Sequence, residues 1–147
     1  MSSDRISRDE LFMSVARLFG MRSTCPRALV GVIAVSEGRI VACGYVGAPI
    51  GEPHCVDEGC IMEDNHCIRT THAEANMISW AAREGISLYE STIYCTHKPC
   101  FACAKLIANL GIIELVYADD YRDDRGTDLL RRQDVMLRRY DALESTS

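Results

Sequence analysis

The chain has 147 residues, 48% hydrophobic and 25% charged, with a formal net charge of −5, which suits one hydrophobic core and is too short for two. The acidic balance, with basic residues scattered or gathered late as in Arg131, Arg132, Arg138 and Arg139, disfavours a surface that tracks long nucleic acid. No apolar run reaches the ~20 residues of a membrane span and the first ten residues are polar, so a single soluble, cytoplasmic domain over residues 1–147 with no membrane partner is expected.

Apolar residues Leu11, Phe12, Val15, Ala16, Leu18 and Phe19 recur at helical spacing and predict an amphipathic first helix over residues 8–22, interrupted by Pro26. Residues 28–35 and 39–45 are rich in Val and Ile, and Ser36-Glu37-Gly38 between them is the polar link of a tight antiparallel hairpin. Residues 47–71 carry Gly, Pro, Asp, Asn, Cys and His without periodicity, a long loop that calls for a stabilising device such as bound metal. Thr71 can cap a second helix running to about residue 84, with Ala73, Met77, Trp80 and Ala81 on one face and Gly85 as its stop.

A third strand is predicted at 91–96, a third helix opened by Pro99 and ended by Gly111, and a fourth strand at 112–118. A short helix at 128–132, a last strand at 135–140 and a frayed tail at 142–147 complete the reading. Strands alternating with helices in the second half imply one mixed five-stranded sheet with helices on both faces, an α/β/α three-layer sandwich.

Eight cysteines in a chain expected to be intracellular point to metal ligands rather than disulfides, because the cytosol keeps thiols reduced. His72-Ala73-Glu74 stands at the start of the second helix, and Pro99-Cys100-Phe101-Ala102-Cys103 at the start of the third. Cys100 and Cys103 project from one helical side, where the positive end of the helix dipole favours thiolates. With neutral His72 they make three protein ligands on zinc and leave the fourth tetrahedral position for water, as a catalytic site does and a closed structural site does not. Glu74 is the candidate proton carrier beside a metal-acidified water. Thr71-His72-Ala73-Glu74 also reads as a capping box with an incidental histidine, and C-x-x-C alone also serves structural or redox roles.

Together, in this order, the two groups form the H-x-E…P-C-x-x-C signature of zinc nucleobase deaminases. The likeness extends through HCVDEGC, NHCIRTTHAEAN, THKPCFACAKLIANLGI and VYADDY, so the chain resembles the deoxycytidylate deaminase family over most of residues 25–121. The resemblance implies the cytidine deaminase-like fold and hydrolysis of dCMP to dUMP and ammonia. Within it, His72, Cys100 and Cys103 hold the catalytic zinc, while Glu74 shuttles a proton to pyrimidine N3 and then to the departing amine. It further implies a small-molecule nucleotide partner and a homo-oligomer, hexameric in relatives. Asn76 matches a sugar or phosphate ligand of the family, Arg27 and Arg69 are candidates for the 5′-phosphate by virtue of their bidentate fork, and Tyr45, Val46 and Tyr121 fall at the substrate.

By the same resemblance a second, structural zinc is expected at Cys25, Cys55, His66 and Cys67, with Cys60 as substitute; His54 adds another soft candidate, whereas Cys43 and Cys95 read as buried small hydrophobes. The sequence departs from the family at Val46, where relatives show GYNG against Gly44-Tyr45-Val46-Gly47, and at Lys98, a usual serine position. The missing polar group at 46 predicts weak control by dCTP and dTTP, and both changes leave room for a modified relative of dCMP. Two other readings stay open: a zinc deaminase of another base, in a purine nucleotide, tRNA or single-stranded DNA, and a non-catalytic zinc module, from which Glu74 would distinguish an enzyme.

Overall fold

The computed structural model describes residues 4–142, so residues 143–147 of the expected frayed tail lie outside it. Ser7 caps the first helix, α1 (Arg8–Gly20), its hydroxyl accepting from Glu10 N at 3.0 Å. The hairpin β1 (Gly31–Ser36) and β2 (Arg39–Tyr45) turns through Glu37 and Gly38, both at positive φ (52° and 77°) as a two-residue type I′ turn requires. The long loop carries a single helical turn, α2 (Cys55–Glu58), and a two-residue hairpin, β3 (Met62–Glu63) with β4 (His66–Cys67), turned by Asp64 and Asn65 at φ 48° and 67°. Then follow α3 (Ala73–Glu84), β5 (Thr92–His97), α4 (Phe101–Ala108), β6 (Glu114–Asp119), α5 (Arg125–Arg132) and β7 (Met136–Arg139). Gly85 stops α3 in the left-handed region (φ 68°, ψ 31°).

The main sheet has the order β2-β1-β5-β6-β7. β1 pairs antiparallel with both β2 and β5, whereas β5, β6 and β7 run parallel, so the sheet is mixed as expected. Alternation along β1 sorts its side chains: Val32 and Ala34 pack with Met77, Ala104, Ile107 and Leu130 on the α3/α4/α5 side, while Ile33 and Val35 pack with Phe12, Met13 and Ala16 of α1. Two apolar layers thus close both faces, the three-layer α/β/α arrangement expected. Among the described residues no helix is long and apolar enough to cross a membrane.

Three expectations shift. The first strand begins at Gly31 rather than at residue 28, because β1 lies so close to α1 that a Cβ on Gly31 would stand 1.9 Å from Ala16 O; residues 28–30 are released to line a cavity. Thr71 is not a helix cap but bridges Gly47, and His72 takes the N-cap position of α3. Pro99 lies one residue before the N-cap of α4, which is Cys100. The consequence is functional: the starts of α3 and α4 meet at the carboxyl end of β5, where parallel α/β sheets place their ligand crevice.

Candidate active site

Each helix start delivers a metal-ligating atom. His72 Nδ1 lies 3.5 Å from Cys100 Sγ and 3.4 Å from Cys103 Sγ, and Cys103 N donates to Cys100 Sγ at 3.5 Å. The three donor atoms all lie within 4.8 Å of one another, so one small ion can touch all three. The Cys103 thiol beside it, then the amide and His72, pull Cys100 down to about 4, while the same pairing pushes Cys103 upward. Hydrogen bonding to Cys100 raises His72 above its ordinary value. One imidazole and two thiols, one of them shifted toward its thiolate, are the soft donor set that zinc prefers, so the residues fit the ion.

Glu74, the second residue of α3, is 4% exposed, and burial raises its carboxyl above the ordinary range. With His72 as N-cap, Glu74 stands one residue too early to close a capping box, so the capping reading does not account for it. Cys95 lies behind it in β5 as a buried thiol raised by desolvation and by the neighbouring carboxyl.

His72, Glu74 and Cys100 open onto a cavity of about 730 Å³. Of the residues expected at the substrate, Arg27, Val46 and Tyr121 line it. Val46 is only 5% exposed and joins the core, so it forms an apolar floor rather than an exposed loop contact. Arg69, Asn76 and Tyr45 are not in the lining. Arg69 donates to Gly59 O at 2.9 Å and Pro53 O at 3.4 Å, bracing the long loop, and Asn76 Nδ2 donates to Tyr45 O at 2.7 Å, tying α3 to the end of β2.

The lining also contains His97 and Arg122, which sequence reasoning passed over. Arg122 has no hydrogen bond or ion pair among the described residues, although four aspartates flank it. Asp119 faces His97 Nε2 at 3.5 Å, Asp123 pairs with Arg125 at 2.7 Å, and both Asp120 and Asp124 pair with the buried Lys98. An arginine amid four acids, three of which pair with another lysine or arginine, was the available signal. Among the described residues Arg27 likewise has no carboxylate partner, its guanidinium donating to Asn65 O at 3.4 Å. Two uncommitted guanidinium groups on one cavity suit an anionic substituent.

A second cluster borders the cavity. Cys25, Cys55, Cys60 and Cys67 bring their sulfurs within 4.8 Å of one another, with Cys25 to Cys60 at 3.8 Å and Cys55 to Cys67 at 3.5 Å. The fourth position is therefore Cys60, and the expected His66 is an exposed residue of β4 that faces the cavity instead. In β4 adjacent side chains point to opposite sides, so Cys67 turning inward sends His66 out. Burial raises Cys55 to about 12; Cys67, opposed by burial but favoured by the Arg69 amide and the neighbouring thiols, falls to about 6. Four convergent cysteines in a loop with little other core also fit zinc.

Fold and site together define an α/β/α protein with an open His-Cys-Cys metal centre, backed by a buried carboxylate at the floor of a nucleotide-sized cavity. Residues 6–119 match the family model described as the cytidine and deoxycytidylate deaminase zinc-binding region, and the chain belongs to that family. It is 45% identical over 119 residues to ComE operon protein 2 of Bacillus subtilis, covering 81% of this chain and 63% of that protein. It is 33% identical over 147 residues to the deoxycytidylate deaminase of Saccharomyces cerevisiae, covering 95% of this chain and 47% of that protein. The chain thus spans about half to two thirds of these curated relatives. The dCMP deaminase of cyanophage S-TIM5, solved in complex with dCMP and dUMP, superposes with a TM-score of 0.81 at 35% identity, covering 89% of this chain and 95% of that one.

Proposed function

We propose that the chain hydrolyses the exocyclic amine of a small cytosine deoxynucleotide, dCMP first among them, giving dUMP and ammonia. The observation that carries this reading is Glu74, a buried carboxyl two residues past His72 and opening with it onto the cavity. The relatives named deoxycytidylate deaminase, and the S-TIM5 enzyme with its bound dCMP and dUMP, support it.

Zinc held by His72, Cys100 and Cys103 would supply Lewis acidity, bringing a water toward a pKa of ~7. The protein's own part is proton transfer and positioning. Glu74, its carboxyl raised above the ordinary range by burial, is placed to pass a proton to pyrimidine N3 and then to the departing amine. The net change adds one water at C4 and releases one ammonia. Arg27 and Arg122 bind the 5′-phosphate, Tyr121 and the apolar Val46 floor enclose the base and sugar, and Arg69, Asn76 and Tyr45 act on the loop and helix that carry them. The reading further includes a second zinc at Cys25, Cys55, Cys60 and Cys67, a homo-oligomer, hexameric by resemblance, a cytoplasmic nucleotide pool as substrate source, and weak dCTP and dTTP control.

Ammonia release from dCMP, CMP, 5-substituted dCMP, deoxycytidine, dAMP and dGMP tests the substrate. Fastest turnover of dCMP or its 5-substituted relatives is expected. Preference for a purine nucleotide, or no release from any of them, would refute the reading.

A further inference from the structure

Lys98 stands between His97 and Pro99 on the cavity wall and is 6% exposed, a rare burial for a lysine. Its ammonium donates to Asp120 Oδ1 at 3.0 Å and also to Asp124 Oδ1. These two carboxylates are the two ends of the segment 120–124, which has neither helix nor strand. The start of that segment is registered by Lys98 N donating to Asp119 O at 2.8 Å, and its end by Asp124 O accepting from Asp128 N at 2.9 Å as α5 begins. Between the ends, Asp120 Oδ1 accepts from Tyr121 N at 2.8 Å, and Tyr121 and Arg122 line the cavity whereas Asp120 and Asp124 do not.

We propose that Lys98 is a positioning residue for substrate binding: it ties the two ends of the 120–124 segment together, turning Arg122 and Tyr121 onto the cavity and drawing two carboxylates out of the path of an anionic substrate. The inference rests on the phosphate-bearing substrate proposed above. Without the ammonium, Asp120 and Asp124, with side chains 59% and 71% exposed, relax into solvent and the segment loses the tie that orients Arg122. Two uncompensated negative charges then border the site that must receive a phosphate dianion. Uniform binding is lost and chemistry is not, because Lys98 reaches no reacting atom.

The test compares wild type, Lys98→Met and Asp124→Asn in steady-state dCMP turnover, with inorganic phosphate as competitive inhibitor. Lys98→Met keeps the length of the stem, and its loss of charge should raise KM by about tenfold or more with kcat changed by less than about threefold. The phosphate inhibition constant should rise in parallel, and Asp124→Asn should move both in the same direction by a smaller factor. An unchanged KM, a fall in kcat at constant KM, or a KM rise without a rise in the phosphate constant would each overturn the proposal. If Lys98→Met fails to fold, Asp124→Asn decides, its side chain being mostly in solvent. If the wild-type chain does not turn over dCMP, the substrate reading has failed, and phosphate affinity measured by calorimetry on the same three proteins then tests Lys98 on its own.

Discussion

Gly44 in β2 lies beneath the first turn of α3, the turn that carries His72 and Glu74. A Cβ added there would stand 2.4 Å from Ala73 O, 2.7 Å from Met77 N and 3.0 Å from Met77 Cβ. Two of these neighbours are backbone atoms of the helix, so no side-chain rotation relieves the overlap. Ordinary contact begins near 3.5 Å, and Gly44→Ala must therefore lift the helix start by about 1 Å. Overpacking of this kind costs about 1–3 kcal/mol, which for a chain of this size lowers Tm by roughly 3–10 °C. The effect on chemistry should be larger in proportion, because Ala73 sits between the metal-ligating histidine and the proton carrier, and a displacement of about 1 Å at a reacting group costs on the order of 10²-fold. Scanning calorimetry, zinc content and kcat/KM for dCMP measured on one preparation give the comparison. A variant with wild-type Tm and kcat/KM would show that β2 does not set the position of the α3 N-terminus, and the account of how the site is held would be wrong.

Glu74→Gln preserves volume in a buried position and should retain fold and zinc while kcat falls by about 10²–10⁴-fold or more; near wild-type turnover would remove Glu74 as proton carrier. Cys60→Ala should release one zinc per chain and lower Tm, whereas His66→Ala should leave zinc content unchanged; the reverse pattern in metal analysis would restore His66 to the ligand set. Arg138 bonds Asp9 Oδ2 at 2.7 Å and Glu114 Oε1 at 2.6 Å, and its hydrogen bond holds the Asp9 carboxyl below its ordinary 3.8. Because the folded value is depressed, the stabilisation is present above about pH 4 and is lost as pH falls through the folded value. Arg138→Met should therefore be less stable than wild type at pH 7, with the gap closing below about pH 4; urea midpoints that differ equally at pH 7 and pH 3 would contradict this.

The convergence of His72, Cys100 and Cys103 was legible because its spacing is local. A histidine and a glutamate two apart, and cysteines three apart, need only a helix start beneath them to share a site, and the sequence marks both starts. Cys60 against His66 was not legible, since the choice depends on the hairpin turned at Asp64-Asn65 and on which side of β4 faces inward. A run as short as His66–Cys67 carries no periodicity from which to read its facing. Residues 28–30 were misread for a related reason: apolar residues leading into a strand look the same whether they extend it or line a cavity. The Lys98 pairings join residues 22 and 26 apart across a β-α-β crossover, a distance at which charge order in the sequence says nothing about partners.

The cavity wall draws on supports of different physical kinds. Arg27 is placed by the cysteine cluster, standing two residues after Cys25 and donating to Asn65 O, two residues before Cys67. Arg122 is placed by the ammonium of Lys98, through a segment that, among the described residues, shares no hydrogen bond with that cluster. The two supports share no partner within the protein, and if that independence carries through to the shared phosphate their effects add within about 0.5 kcal/mol. Disruption of the cysteine cluster, as in Cys60→Ala, and loss of the Lys98 charge should therefore multiply in their effects on phosphate affinity when combined in one protein. Factors that fail to multiply would mean that the two arginines close on the anion as one unit, each needing the other in place.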